Sequence, residues 1–301
     1  MCENVEFQKK LKENYEYCYM ESMHYMHETR RDTNTFIVGL SYGTDGIIAE
    51  KLGKKSINLA MHSQDLFYDT LHILRAVKND KDGKIKNCVF AMGYYSLFYD
   101  LTMTFRKGKA LLNYYAIFQN THHLYVDKET QNVVMETLRE PHFVEYYRNW
   151  FMTHPSFYNE FAHREAFLNE EINRRGGWQA MSKAERDEYA NKTATGHNKH
   201  FNHSETFFEN LELLNRVLKI LSMAKINAYL IIMPFSKEYS KYISREYRDI
   251  IQSALKKIPY DYNFIDFNDL SLFEDDEFAD PEHLNERGAT KFTSLLNEML
   301  V

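Results

Sequence analysis

The feature that most constrains the fold is a rhythm of short, continuous apolar runs, bounded by polar turns and separated by stretches with helical spacing. Thr35-Phe36-Ile37-Val38-Gly39-Leu40, Ser56-Ile57-Asn58-Leu59-Ala60-Met61 and Cys88-Val89-Phe90-Ala91-Met92-Gly93 are such runs. The first ends in Ser41-Tyr42-Gly43-Thr44-Asp45-Gly46, which reads as a polar turn. Between the second and third, Leu66, Leu71, Leu74 and Val77 recur at helical spacing and predict a helix over 64–78. The pattern resumes with a helix over 204–224, a strand over 227–234, a helix near 237–257, a strand over 262–267 and a terminal helix over 286–300. Strands apolar on both faces and alternating with helices belong to a parallel sheet covered on both sides. The expected fold class is a three-layer α/β/α, flavodoxin-like parallel sheet of about five strands.

Between the two halves the rhythm stops. No strand pattern is visible from Leu101 to Glu205, a segment rich in Tyr, Phe, His and Arg. Helices are expected over 157–173 and 183–192, separated by the stop signal Arg174-Arg175-Gly176-Gly177. Residues 3–30 read as a helical lead-in. A single α/β domain over 1–301, carrying a helical insertion over 102–203 above the carboxyl edge of the sheet, fits this organisation.

Charge and composition remove several function classes. Lys and Arg number 37 against 43 Asp and Glu, a net charge of −6 spread along the chain, so nucleic acid is not an expected partner. No apolar run reaches the ~18 residues a membrane span needs, and no apolar leader follows Met1, so neither a span nor a secretory signal is expected. Cys2, Cys18 and Cys88 form no CxxC or zinc-finger spacing, which suits a reducing, cytoplasmic setting with Cys88 inside a strand. His197, His200 and His203 have HxxHxxH spacing that does not hold three rings on one tight helical face. His62 and the pair His122-His123 read as packing or surface residues, so no metal site is expected.

Ligands of open α/β sheets bind beyond the carboxyl ends of the strands, which singles out Ser41 after the first run. A serine there lies near backbone N–H groups able to stabilise an oxyanion, although serine at such a boundary also serves as a helix cap. The second signal is Asp280-Pro281-Glu282-His283-Leu284-Asn285 before the last helix. Its DxxH spacing lets Asp280 hold one imidazole nitrogen of His283 while the other faces outward. The alternative is a helix start, with Asp280 as cap and Pro281 in the first turn.

Taken together, a strand-end serine and a DxxH ahead of the terminal helix resemble the SGNH/GDSL hydrolase superfamily over residues 35–98 and 204–300. The run from Asp280 to Ala289 is similar to the DxxHLNxxGA ending of bacterial members, including cell-wall D-alanyl-transfer proteins. The resemblance implies a catalytic triad of Ser41, His283 and Asp280, with an oxyanion hole at Ser41, Ser63 and Tyr95. Three positions depart from the family pattern. GDS(L) is Gly39-Leu40-Ser41-Tyr42 here, the second-block glycine falls on Ser63, and the third-block GxN falls on Gly93-Tyr94-Tyr95. The implied function is a serine esterase or O-acyltransferase acting on an oxygen ester, such as that of a bacterial glycan or its precursor, with no cofactor. Two rivals stand beside it: a non-catalytic SGNH-like binding or assembly protein with a degenerate oxyanion hole, and a partner-binding module using the aromatic insertion. Oligomeric state is not legible.

Overall fold

A computed structural model describes residues 14–138, Arg148 and residues 177–300, apart from Lys54 and Asp269. The helix expected over 157–173, the segment 3–13 and the Arg174-Arg175-Gly176 stop lie outside the described residues.

Five parallel strands form the sheet: β1 (Thr35–Gly39), β2 (Ser56–Asn58), β3 (Asn87–Met92), β4 (Asn227–Ile232) and β5 (Asn263–Asp266), in the order β2-β1-β3-β4-β5. This is the flavodoxin-like order, and its direction of winding reverses between β1 and β3. β1 and β3 are buried along their whole lengths, as unalternating apolar runs require. Helices α1 (Tyr15–Arg30), α2 (Ser41–Gly46) and α3 (Leu66–Asn79) belong to the first half of the chain. α4 (Lys128–Leu138) and α5 (Lys183–Asn198) lie in the insertion. α6 (Ser204–Met223), α7 (Lys237–Tyr242), α8 (Glu246–Leu255) and α9 (Glu286–Met299) complete the second half. α3 packs against β1 and α6, while α2 packs against β1, β3 and α9, so two helical layers enclose the sheet.

Helix starts follow capping chemistry. Asp65 caps α3 by accepting from the Tyr68 amide at 3.2 Å, Ser182 and Glu185 form a reciprocal capping box on α5, and Asn285 caps α9 through the Gly288 amide at 3.0 Å. Within the insertion the described residues carry helices, a π-helical turn at Ala110–Tyr115 and no strand. No helix among the described residues is long and apolar enough to cross a membrane. Cys18 and Cys88 are buried free thiols, and burial pushes both thiol pKa values up.

Three local expectations are corrected. The segment after β1 is the helix α2 rather than a turn, although it is poor in helix formers. Tertiary contacts hold it: Asn58 Nδ2 donates to the carbonyls of Gly43 and Ile47 at 2.9 and 3.1 Å. A Cβ on Gly43 would meet Ala60 Cβ at 2.6 Å and Ala91 Cβ at 2.8 Å, so the glycine lets α2 lie against the sheet. The helix near 237–257 is two helices, because Asn198 reaches into the break, donating to the Tyr242 carbonyl and accepting from the Ser244 amide. β2 pairs only with β1 and ends at Asn58, short of the expected Met61.

Gly39 closes β1 with φ +130°, and a Cβ there would lie 2.1 Å from the Ala91 carbonyl oxygen. Gly39→Ala therefore pries β1 from β3 directly beneath Ser41. We expect a loss of about 3 kcal/mol or more in unfolding free energy, read from the urea midpoint. A midpoint equal to wild type would show that the strands separate freely there.

Candidate active site

α2 starts at the carboxyl end of β1, and its N-cap position is Leu40. Ser41 is thus the first helical residue and not a cap. As the first helical residue, its amide has no intrahelical acceptor, and its hydroxyl is free to turn outward. The loop Ala279–Asn285 runs from the far end of the chain to the same place. Its hairpin-like bridge Phe278↔Leu284, with the Ala279 amide donating to the His283 carbonyl at 2.8 Å, holds His283 beside Ser41. Because Asn285 caps α9, Asp280 is left to serve the loop. Its Oδ1 accepts from the amides of Glu282 and His283, each at 2.8 Å.

The three residues meet. Ser41 Oγ lies 2.8 Å from His283 Nε2, and His283 Nδ1 lies 2.8 Å from Asp280 Oδ2. When His283 is neutral and Asp280 ionised, the proton sits on Nδ1 and the Nε2 lone pair faces the serine, so Ser41 O–H donates to it. The arrangement is a relay able to draw a proton from the hydroxyl and hand it on. Burial disfavours charge on both partners, yet their mutual attraction and hydrogen bond outweigh it. Asp280 is held below the usual carboxylate range and His283 is raised above the usual imidazole range, with Glu282 and Asp45 adding to the latter.

Comparison with protein-family models and with curated proteins finds no match.

Ser41 follows β1 and Tyr95 follows β3, the two strands that flank the switch in winding. Ser63, in the turn after β2, has φ +66°, a left-handed conformation that glycine adopts without strain. Its side chain accepts from Arg106 of the insertion at 2.9 Å. Tyr95 is buried, its ring stacked on His197 at 4.2 Å and on His200 at 5.3 Å. The insertion thus does reach the carboxyl end of the sheet. The Tyr95 hydroxyl lies 3.1 Å from that of Tyr42, which lies 2.6 Å from Glu282 Oε2. Tyr42 has a single proton, and the shorter bond to the carboxylate takes it. Tyr95 therefore donates to Tyr42, and its proton is engaged rather than aimed at an oxyanion.

Sequence reasoning missed three neighbours. Asp45 stands four residues after Ser41, on the same face of α2. It is buried, its Oδ1 lies 3.1 Å from His62 Nε2, and its Oδ2 has no hydrogen-bond partner while lying 3.9 Å from His283 Nε2. His62 packs its ring parallel to that of His283, with centroids 6.4 Å apart, while its Nε2 meets Asp45 Oδ1. Glu282 sits within an aromatic cage of Tyr42 and His197, the latter held by the Tyr239 hydroxyl at 2.7 Å from Nδ1. The i,i+4 spacing of Ser41 and Asp45 was the one available signal. A separate groove of about 440 Å³, lined by Met23, Met26, Asp32 and Lys55, lies at the opposite, amino ends of β1 and β2.

Proposed function

We propose that the chain is a serine esterase or O-acyltransferase of the SGNH/GDSL type, acting on an oxygen ester of a bacterial glycan or its precursor in the cytoplasm. The observation that carries this reading is the continuous Ser41–His283–Asp280 relay at the carboxyl end of β1. The left-handed backbone at Ser63 supports it further, because the family places a glycine there. The buried free thiols of Cys18 and Cys88 suit the reducing compartment.

In this reaction Ser41 Oγ attacks the acyl carbon as its proton passes to His283 Nε2. The tetrahedral intermediate collapses, the imidazolium protonates the departing alkoxide, and the acyl group remains on Ser41. An acceptor hydroxyl then gives its proton to His283, attacks the acyl-serine and releases Ser41. Water as acceptor gives hydrolysis, and a sugar hydroxyl gives transfer. Asp280 keeps the Nε2 lone pair facing Ser41 throughout. The amides of Ser41 and Ser63 are the oxyanion donors in this scheme.

The experiment is labelling by a serine-reactive fluorophosphonate, with the modified residue located by mass spectrometry. Label on Ser41 supports the reading. An intact protein inert to the reagent favours the binding-protein alternative, for which the specific observation is Tyr95 standing in the third-block Asn position with its hydroxyl tied to Tyr42. Because that proton is already engaged, Tyr95→Phe is expected to change the turnover number by less than about threefold. A loss of about 10²–10³ would instead place the hydroxyl in the oxyanion hole.

A further inference from the structure

Away from Ser41, four side chains from three segments converge: Asp100 after β3, His122 and His123 in the turn that follows the π-helical segment, and Glu209 on α6. Asp100 and His122 are almost fully buried, with side-chain exposures of 1% and 6%. The two imidazoles stack face to face at 3.8 Å. Both present Nε2 to one oxygen, Glu209 Oε1, at 3.1 and 3.4 Å. Both present Nδ1 to the Asp100 carboxylate, His123 at 2.8 Å from Oδ2 and His122 at 3.7 Å from Oδ1. Asp100 Oδ1 is fixed from behind by the Thr102 amide and hydroxyl, at 2.7 and 2.6 Å.

This pattern has a missing term. His122 donates Nε2–H to Glu209 and His123 donates Nδ1–H to Asp100, which leaves the His122 Nδ1 lone pair facing the same carboxylate, acceptor against acceptor. His122 Nδ1 is buried and has no hydrogen-bond partner, since 3.7 Å is too long for one. A positive centre between these atoms resolves the conflict. Asp100, His122 and His123 each offer one ligand atom, and these atoms lie within 4.8 Å of one another. Bonds of about 2.0–2.2 Å to a common ion require the stacked rings to fan apart so that each Nδ1 lone pair points at it, with the His123–Asp100 edge widening from 2.8 Å. A carboxylate holding the far N–H of each imidazole is also the usual outer support of a metal-ligating histidine.

We propose that Asp100, His122 and His123 bind a zinc-class divalent cation, with Glu209 orienting both rings. Two imidazoles and one carboxylate suit Zn²⁺ among the divalent ions and leave a fourth position for water. The ion would join the loop after β3, the insertion and α6 at one point. Tyr99, next to Asp100, packs on Tyr95 at 5.8 Å and donates to the Ser63 carbonyl at 3.4 Å, so the joint braces one wall of the relay site.

The test titrates chelator-stripped, full-length protein with Zn²⁺ by calorimetry, and with Co²⁺ by visible absorption. Wild type is expected to take up one Zn²⁺ per chain at micromolar or tighter affinity, with Co²⁺ spectra of nitrogen and oxygen ligation. At a hundredfold excess over Kd the ion should raise the melting temperature by about 5 °C. His123 is half exposed, so His123→Ala keeps the fold; it should weaken binding by about 100-fold or more, and Glu209→Ala by about 10–100-fold. His62→Ala, at the relay site, should leave the affinity unchanged. Absence of uptake by wild type, or uptake that survives His123→Ala, overturns the proposal whatever the fate of the esterase reading.

Discussion

Ser41→Ala is expected to abolish fluorophosphonate labelling and to lower ester turnover by about 10⁴-fold or more, the scale of losing the nucleophile of a triad. The fold should be indifferent to the change. Ser41 is only partly buried, Leu40 rather than Ser41 occupies the cap position of α2, and alanine is the best helix former. Its one side-chain bond reaches His283, which Asp280 still holds from the other nitrogen. A melting temperature within about 2 °C of wild type, together with lost turnover, separates chemistry from stability. Unchanged turnover would exclude Ser41 as nucleophile.

Asp280→Asn should cost nearly as much, by a different route. The asparagine Oδ1 can still accept from the Glu282 and His283 amides, so the loop keeps its shape. Its Nδ2 then faces His283 Nδ1, donor against donor, and the imidazole responds by moving its proton to Nε2. That tautomer cannot take the Ser41 proton, and kcat should fall by about 10⁴-fold. The pH profile gives a second readout. Burial works against a charged His283, but Asp280 overrides it and raises the imidazole above its usual range. Only the neutral imidazole acts as base, so wild-type activity rises as pH climbs through that raised value. Removing the carboxylate charge lowers it, and the acid limb of kcat/KM should move to lower pH while the plateau drops. A limb that stays in place would show that Asp280 does not govern His283.

β1 and β3 were legible because both faces of each are buried, so that apolarity runs unbroken through Phe36-Ile37-Val38 and Val89-Phe90-Ala91. α2 was not, since Ser41–Gly46 carries neither helical periodicity nor good helix formers, and contacts with Asn58, Ala60 and Ala91 make it a helix. Ser41, His283 and Asp280 could be picked out because a DxxH ahead of a helix is a local pattern. Asp45 offered only its i,i+4 spacing from Ser41, His62 and Glu282 offered no signal of their own, and the proximity of all three comes from the fold bringing α2, the turn after β2 and the loop before α9 together. The same holds for Asp100 and Glu209, which stand far from His122 and His123 in the sequence. Tyr95 follows β3, and the direction of its hydroxyl depends on Tyr42 and Glu282, which spacing does not reveal.

Ser41 and His283 stand 242 positions apart, and β3 joins β4 across the whole insertion, Asn87 against Asn227. Closing loops of that size is entropically unfavourable until the sheet that rewards it exists, so such contacts form slowly and late. The helices depend mainly on nearby residues and can form much sooner. During refolding, far-ultraviolet circular dichroism should therefore recover ahead of reactivity at Ser41. Reactivity becomes a clock for the last long-range docking event, and a half-assembled chain carries a serine that is still inert.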